Sequence, residues 1–526
     1  MNGTSSSNAP RFLPARLPRV CVAIAASNAA EMVQKADIAV RDNPFIEFRL
    51  DYLSQPAQGL AKLKTFAEFH PEALIVATCR RAANGGKFKG SIASQVDLLA
   101  KAANLGCHLV DIELESAAQL KQSDFNRLRR SANLILSYHD FRGTKKLEEI
   151  FARMQEHPAD FFKIVTTANS LYDNVVMMKF LEKYSHAHSL IGLCMGEQGV
   201  ISRLLCVRAG SQFTFAAANP GEETAPGQLT ARALRDVYRI DQVDAATRVY
   251  GVAGDPVAHS LSPAMLNTAF RRENVNAVYL ALHAKTMEDL MACVQDIPIA
   301  GLSITMPYKE PIVKQLDKSD PWTAKVGACN TLVRSQDGNL YGFNTDVNGV
   351  VRPLELRIRL QGARILVLGA GGAARAAVFG LKERGAEVSI LNRTAGPAQK
   401  LAKQARAKVI NRTMLKKLEF DVIINATPAG MEGNRDPLPL SEQELKAKYF
   451  FEMVYNPAET KMIKMARARG MHVIPGSEMF VQQGARQFEI WTGKPAPLID
   501  MQRVVDHALA QQAAAKAAAE GKNGKK

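Results

Sequence analysis

Short apolar runs recur along the first 240 residues, and most are separated by a segment with helical periodicity. Eight such runs occupy 20–26, 45–53, 74–80, 109–115, 134–140, 161–168, 189–196 and 213–218. They are apolar at successive positions, as parallel strands covered on both faces must be. Eight strands with intervening helices predict an α/β fold for this half, a (β/α)8 TIM barrel over residues 20–240.

Charged side chains cluster late in five of these runs. Arg49, Arg80, Glu113, His139 and Lys163 each lie near the carboxyl end of a predicted strand. In a barrel of this type that end forms the mouth of the active site. Buried charges need partners or a function, so the pattern predicts an active site there.

The alternation of strand and helix patterns stops at 240–247, and a new strand pattern begins at 249–254. The stretch 363–385 has the pattern of a strand, a glycine turn and a helix, and strand patterns follow at 387–394 and 420–431. We therefore expect a substrate-binding α/β domain at 248–350, completed by a helix at 496–512, and a Rossmann-like domain at 351–495. Residues 1–19 and 513–526 are expected to be a disordered leader and tail.

Composition narrows the classes of function. With 47% hydrophobic and 22% charged residues and no long apolar run, the chain is not expected to span a membrane. The net charge of +16 is dispersed, without a basic stripe that contains aromatic residues, so anionic small molecules are expected rather than nucleic acid. Seven cysteines without a C-x-x-C motif indicate reduced thiols, a cytoplasmic setting and no metal site.

Five blocks of the first half resemble type I 3-dehydroquinate dehydratases in order and spacing: EFRLD (47–51), SYHDF (137–141), FKIVTTA (162–168), MGEQGVISR (195–203) and TAPGQL (224–229). The resemblance implies that Lys163 forms a Schiff base with the ring ketone and that His139 is the general acid and base. It also implies substrate binding by Glu47, Arg49, Arg80, Arg203, Thr224 and Gln228.

The third βα loop departs from that family. Asn84 stands where the family usually has a glutamate, which orients the histidine together with an aspartate that matches Asp111. An asparagine can still form hydrogen bonds but has no charge. We expect slower or pH-shifted dehydration rather than its loss.

Blocks of the second half are similar to shikimate dehydrogenases, among them GDPVAHSLSP (254–263), GLSITMPYK (301–309), GFNTDVNG (342–349), VLGAGGAARA (367–376) and MFVQQGARQF (479–488). The resemblance implies a catalytic pair, Lys309 and Asp346, that supplies a proton to the alkoxide formed by hydride transfer. It also implies substrate binding by Ser260, Ser262, Thr305, Asn330, Tyr455 and Gln483.

The glycine turn predicts the cofactor site. Gly369, Ala370, Gly371, Gly372 and Ala373 would bring backbone amides close to a pyrophosphate. NAD enzymes have an acidic residue at the end of the second strand, whereas this chain has Asn392, Arg393 and Thr394. Because Arg393 can pair with a 2′-phosphate, we expect NADP.

Two alternatives stay open. The second half could oxidise quinate, although relatives that accept quinate tend to have smaller residues at the positions of Ser262 and Thr305. The chain could also be an inactive pathway regulator, although it keeps all four catalytic candidates.

Overall fold

The computed structural model describes residues 13–258 and 260–523. The chain forms two compact units, of which the first extends to Thr247 and also includes Leu282–Pro298. The predicted leader lies outside the described residues as far as residue 12. None of the described helices is both long and apolar enough to cross a bilayer.

Eight parallel strands form the barrel of the first unit. They are β1 (Val20–Ile24), β2 (Phe45–Arg49), β3 (Leu74–Thr78), β4 (Leu109–Glu113), β5 (Asn133–His139), β6 (Phe161–Thr167), β7 (Leu190–Met195) and β8 (Thr214–Ala217). Their order is β7-β6-β5-β4-β3-β2-β1-β8, and the β7–β8 seam contains a hydrogen bond from the Gln212 amide to the Leu190 carbonyl. The predicted barrel is confirmed, with seven of the eight strands inside the predicted runs and β5 beginning one residue before its run.

Helices cover the outside of the barrel. They are α1 (Ala29–Ala39), α2 (Pro56–Phe69), α3 (Ile92–Asn104), α4 (Leu114–Ala117), α5 (Gln122–Arg129), α6 (Leu147–Gln155), α7 (Asp173–Tyr184) and α8 (Ser202–Arg208).

Strand periodicity separates an apolar end of the barrel interior from a polar one. Phe45, Leu109, Ile135 and Phe161 belong to one buried cluster near the start of their strands. Side chains two or four positions later point to the same face of a strand. The barrel interior therefore becomes polar towards the carboxyl ends of the strands.

The second unit contains two six-stranded sheets. The first has the order β10-β9-β11-β13-β14-β12, and the second has the order β17-β16-β15-β18-β19-β20. The strands are β9 (Arg248–Gly254), β10 (Ala277–His283), β11 (Ile299–Ile304), β12 (Lys318–Ser319), β13 (Thr331–Arg334), β14 (Leu340–Phe343), β15 (Arg364–Leu368), β16 (Glu387–Leu391), β17 (Lys408–Val409), β18 (Phe420–Asn425), β19 (Ala447–Glu452) and β20 (His472–Ile474). The second sheet is parallel throughout, with a switch point between β15 and β18 where dinucleotides bind in Rossmann folds.

Helices alternate with these strands along the chain, and the helix Met287–Asp296 lies in the segment that belongs to the first unit. They are α9 (Ser262–Arg272), α10 (Met287–Asp296), α11 (Pro321–Val326), α12 (Asp346–Glu355), α13 (Gly372–Glu383), α14 (Ala395–Ala405), α15 (Arg412–Leu415), α16 (Lys461–Ala468), α17 (Gly476–Thr492) and α18 (Leu498–Asn523).

The last helix differs from the expectation. Met501, Val505 and Leu509 pack in the apolar cluster of the first sheet of this unit, which contains Tyr250 and Phe270. Beyond them α18 continues to Asn523, although a disordered tail is expected from residue 513 onwards. Alanine-rich segments have high helix propensity, so a docked first half can extend the helix through the second.

Candidate active sites

Four ionisable side chains meet inside the carboxyl end of the barrel. Lys163 on β6 is 3% exposed, and its Nζ lies 3.0 Å from Asp111 Oδ2 and 4.0 Å from Glu47 Oε1. The ring centre of Phe215 lies 3.9 Å from the same nitrogen. Two carboxylates therefore compensate the charge of the lysine. A proton must leave before the amine can attack a carbonyl.

Asp111 receives most of the hydrogen bonds of this cluster. It accepts from Ser137 Oγ at 2.7 Å and from an Arg80 Nη2 at 3.3 Å, in addition to the bond from Lys163. Burial alone would raise the pKa of Asp111, but the charges of Lys163 and Arg80 hold it below its usual range. The carboxylate therefore stays ionised and anchors the lysine.

His139 ends β5 beside these groups. Its Nδ1 is buried and has no hydrogen-bond partner among the described residues. Burial and the positive charges of Arg80 and Lys163 lower the pKa of His139 well below its usual value, against an opposing effect of Asp111. The imidazole is therefore neutral at neutral pH and can accept a proton.

The three predicted anion-binding arginines have different surroundings. Arg49 forms a bidentate pair with Asp51, at 2.9 and 2.8 Å. Arg80 is held by Asp111, while its buried Nε has no hydrogen-bond partner among the described residues. Arg203 is 1% exposed, and its hydrogen bonds go to the carbonyls of Gly227, Phe215 and Pro226. Burial lowers the pKa of Arg203 to about 10, a cost that a bound anion would offset.

The predicted contacts from the last βα loop also lie together. The Thr224 amide and hydroxyl donate to Gln228 Oε1, at 2.7 and 3.2 Å. Asn84 lies in the third βα loop, where the next residue, Gly85, leaves too little space for a Cβ against the Phe141 ring. Phe141 in turn stacks on His139, so the loop packs over the histidine.

In the second unit, Lys309 and Asp346 form the predicted pair. The Lys309 Nζ donates to Asp346 Oδ2 at 2.7 Å, and the Asn330 amide donates to Asp346 Oδ1 at 2.7 Å. Asn330 also approaches Gln483 Oε1 at 3.5 Å. Four predicted site residues from four separate blocks thus meet at the start of α12.

The other predicted substrate contacts in this unit have local partners of their own. Ser260 Oγ accepts from the Ser262 amide at 3.3 Å, and a methyl of Thr305 lies against Gly254 at the end of β9. Tyr455 stacks on Phe480 with ring centres 4.6 Å apart. Hydroxyl and amide groups dominate this lining, as a weakly charged polyol requires.

Sequence reasoning missed Gln487, one helical turn after Gln483. Its amide donates to the Asn330 carbonyl at 3.0 Å and accepts from Ser303 Oγ at 2.7 Å, and it is 1% exposed. The sequence signal that could have identified Gln487 is its position as a polar residue on the otherwise apolar face of α17.

The dinucleotide turn has the geometry that a pyrophosphate needs. Gly369 has a φ of +107°, and added Cβ atoms on Gly371 and Gly372 would meet nothing within 4 Å. The turn therefore leaves open space at the start of α13, whose amides can bind an anion. Arg393 is exposed after β16 and pairs with Asp436 at 3.1 Å, while Asn392 donates to the Thr394 carbonyl. The residues present fit a phosphorylated dinucleotide.

Comparison with known proteins gives consistent matches along the chain. Family models match as type I 3-dehydroquinase (residues 20–245), shikimate dehydrogenase substrate binding domain (252–332), shikimate / quinate 5-dehydrogenase (354–432) and shikimate 5'-dehydrogenase C-terminal domain (476–505). The chloroplastic bifunctional 3-dehydroquinate dehydratase/shikimate dehydrogenase of Arabidopsis thaliana is 34% identical over 501 residues, which are 91% of this chain and 82% of the relative.

Of two further matches, one covers half of the chain and the other covers most of it. The shikimate dehydrogenase (NADP(+)) of Methanosarcina acetivorans is 40% identical over 278 residues, 50% of this chain and 99% of the relative. The solved structure of dehydroquinate dehydratase and shikimate dehydrogenase from S. pombe AroM is 25% identical, covers 92% of this chain and 98% of that one, and has a TM-score of 0.44.

Proposed function

The chain belongs to the family of bifunctional 3-dehydroquinate dehydratase/shikimate dehydrogenases, and we propose that its two units perform these two reactions in sequence. The first unit dehydrates 3-dehydroquinate to 3-dehydroshikimate, and the second reduces that product to shikimate with NADPH. One observation carries the proposal: a lysine–carboxylate pair forms in each unit of the same chain, with Lys163 inside the segment that matches the type I 3-dehydroquinase model and Lys309 inside the segment that matches the substrate binding domain of shikimate dehydrogenase.

In the dehydratase unit, Lys163 is the proposed nucleophile. Its amine adds to the ring ketone and water leaves, and the resulting imine draws electrons from the adjacent C–H bond. His139 then takes the proton from that carbon and returns it to the departing hydroxyl. The neutral state of the imidazole, favoured by burial and nearby positive charges, suits the first of these steps. Water hydrolyses the imine and frees Lys163.

Substrate binding in this unit needs a partner for the ring carboxylate. Arg203 is buried, and within the described part of the chain its hydrogen bonds go to carbonyls, so an anion at its guanidinium would compensate the charge. Arg49 and Arg80 are proposed to bind the same carboxylate or the ring hydroxyls, together with Glu47, Thr224 and Gln228.

In the dehydrogenase unit, Lys309 and Asp346 are the proposed proton donor pair. When bound, NADPH supplies the hydride. Lys309 is 30% exposed and held at 2.7 Å by Asp346, so it can give a proton to the developing alkoxide and be reprotonated from water. Asn330 and Gln483 are proposed to hold ring hydroxyls, and Ser260, Ser262, Thr305 and Tyr455 to surround the carboxylate and the ring.

NADP is the proposed cofactor. Gly369, Gly371 and Gly372 leave room for the pyrophosphate, and Arg393 stands where an NAD enzyme has an acid. The M. acetivorans relative is NADP(+)-dependent by name. Quinate is the second candidate substrate of this unit, because one matching family model describes shikimate / quinate dehydrogenases.

A cytoplasmic location is a further proposal. It is supported by seven cysteines that are all buried thiols. The Arabidopsis relative is, by contrast, chloroplastic by name. Under the cytoplasmic proposal, fractionation of the source cells should find the activity outside organelles, and activity inside them would contradict it.

A two-signal assay tests the function. With 3-dehydroquinate alone, the absorbance of the product enone should rise; addition of NADPH should then lower the absorbance of NADPH as the enone disappears. Shikimate and quinate should be compared in the reverse direction with NADP. The absence of either signal, or a preference for quinate, would contradict the proposal.

The covalent step has its own test. Borohydride added with 3-dehydroquinate should reduce the imine and leave a stable adduct on Lys163, which mass spectrometry of the digest locates. The substitution Lys163→Met should abolish the adduct. An active dehydratase that gives no adduct would exclude the Schiff-base route.

A further inference from the structure

Glu452 is a buried carboxyl group that neither proposed reaction uses. It ends β19, at the carboxyl edge of the parallel sheet of the second unit, and is 0% exposed. A buried carboxylate is costly unless hydrogen bonds satisfy it. Cofactors bind at this edge of a parallel sheet. A costly buried carboxyl group at that edge therefore indicates a role near the cofactor.

All the groups that form hydrogen bonds with Glu452 are neutral donors. Asn425 Nδ2 and the Val454 amide donate to Oε1 at 2.8 and 3.2 Å, and Thr460 Oγ1 donates to Oε2 at 2.9 Å. Asn425 ends β18, and Thr460 caps the N-terminus of α16. The carboxyl group therefore ties together a neighbouring strand end and a helix start.

Asn425, which donates to Glu452, also forms hydrogen bonds within the loop 425–430. Its Oδ1 accepts from the hydroxyl of Thr427 at 2.6 Å, and its Nδ2 also donates to the Ala429 carbonyl at 3.3 Å. Gly430, at the end of this loop, leaves an added Cβ only 3.2 Å from Thr460. The loop is thus fixed at both ends by groups that Glu452 binds.

The same loop packs directly on the dinucleotide turn. An added Cβ on Gly369 would lie 3.1 Å from the Ala426 carbonyl oxygen and 3.1 Å from a methyl of Thr427. The Ala426 amide donates to the Leu368 carbonyl at 3.0 Å, next to the turn. A displacement of loop 425–430 would therefore change the surface that the turn offers to a cofactor.

We propose that Glu452 is a positioning residue of the dehydrogenase, which holds loop 425–430 against the dinucleotide turn through Asn425 and Thr460. The inference rests on the proposed NADP-dependent reaction. It assigns Glu452 to cofactor binding rather than to the chemical step, since no described contact joins it to Lys309 or Asp346.

The electrostatics of the site agree with this arrangement. Burial raises the pKa of Glu452 to about 7, while hydrogen bonds from Val454, Thr460 and Asn425 lower it. Directed hydrogen-bond donors, rather than an opposite charge, thus hold the group. Such a group positions its neighbours through geometry, because each hydrogen bond fixes a direction.

The test is a steady-state comparison of Glu452→Ala with wild type in the full chain. Loss of the carboxyl leaves buried donors unpaired, so KM for NADP should rise at least about fivefold, while kcat at saturating NADP and KM for shikimate change less than about twofold. Dehydratase activity of the same preparation should be unchanged. Glu459→Gln, a nearby exposed glutamate paired with Arg467, is the control and should match wild type.

Two conservative variants keep the test decisive if Glu452→Ala does not fold. Glu452→Gln keeps the size and an acceptor for Asn425, so it should restore KM for NADP to near the wild-type value. Glu452→Asp is one methylene too short to reach both partners, so it should raise KM. An unchanged KM for NADP in Glu452→Asp, or a loss confined to kcat, would overturn the inference. The proposed NADP-dependent reaction is tested separately, by whether the wild-type protein turns over shikimate with NADP at all.

Discussion

At the scale of single residues, the two proposed catalytic lysines have contrasting surroundings. The Lys163 side chain is 4% exposed and lies between two carboxylates and the Phe215 ring, whereas the Lys309 side chain is 30% exposed with one carboxylate partner. A covalent nucleophile needs a closed site in which water does not compete. A proton donor needs access to water for its return to the charged state. The exposure of each lysine thus suits its proposed task.

The proton acceptor of the dehydratase should have an unusual pH dependence. Because the pKa of His139 is lowered well below its ordinary value of about 6.5, the imidazole takes up its proton only in more acidic solution. The kcat/KM for dehydration should therefore remain level through pH 6.5 and fall at lower pH. In Arg80→Gln one nearby positive charge is gone, so the acidic limb should move to higher pH. A wild-type profile that falls at about pH 6.5 would contradict this setting.

The choice between NADP and NAD is proposed to depend on Arg393. In Arg393→Ala, KM for NADP should rise about tenfold, because an exposed charged hydrogen bond to the 2′-phosphate is lost. KM for NAD, which lacks that phosphate, should change little. Arg467→Ala, which changes another exposed arginine in the last turn of α16, is the control. An equal rise for both cofactors would argue against contact with the phosphate.

At the scale of elements, the strands were predictable and their cross-contacts were not. Apolar runs indicate each barrel strand, and five of these runs also have charged residues near their ends. The strand alternation places Lys163 and His139 on the inner face. The partner of Lys163 depends on which carboxylate lies two strands away, so the sequence relates Asp111 to the histidine while the structure bonds it to the lysine. The contacts of Gln487 and the length of α18 also depend on tertiary packing. They could therefore not be predicted from the sequence pattern.

In the third βα loop, the close approach of Gly85 to Phe141 predicts the effect of a substitution. Gly85 has a φ of +77°, and its added Cβ would lie 2.2 Å from Phe141 Cζ. Gly85→Ala should push Phe141 away from His139 and lower dehydratase kcat/KM by about tenfold or more. Gly221→Ala has a similar φ cost but meets no atom within 4 Å, so it should keep most of the activity. Equal losses in both variants would show that φ strain alone is responsible.

At the scale of the whole molecule, two complete folds in one chain carry two consecutive steps. Each unit has its own apolar core and its own lysine–carboxylate pair. The matched relatives of the second half are free-standing proteins of which this chain covers nearly the full length. The two activities should therefore be separable by mutation, even though they share an intermediate.

The most direct measurement is the fate of 3-dehydroquinate in two single variants with NADPH present. In Lys309→Ala, the enone product should accumulate without consumption of NADPH. In Lys163→Met, nothing should happen to 3-dehydroquinate, yet added 3-dehydroshikimate should be reduced at the wild-type rate. If either substitution removed both activities in a folded protein, or if Lys163→Met still dehydrated its substrate, the account of two independent lysine sites would be contradicted.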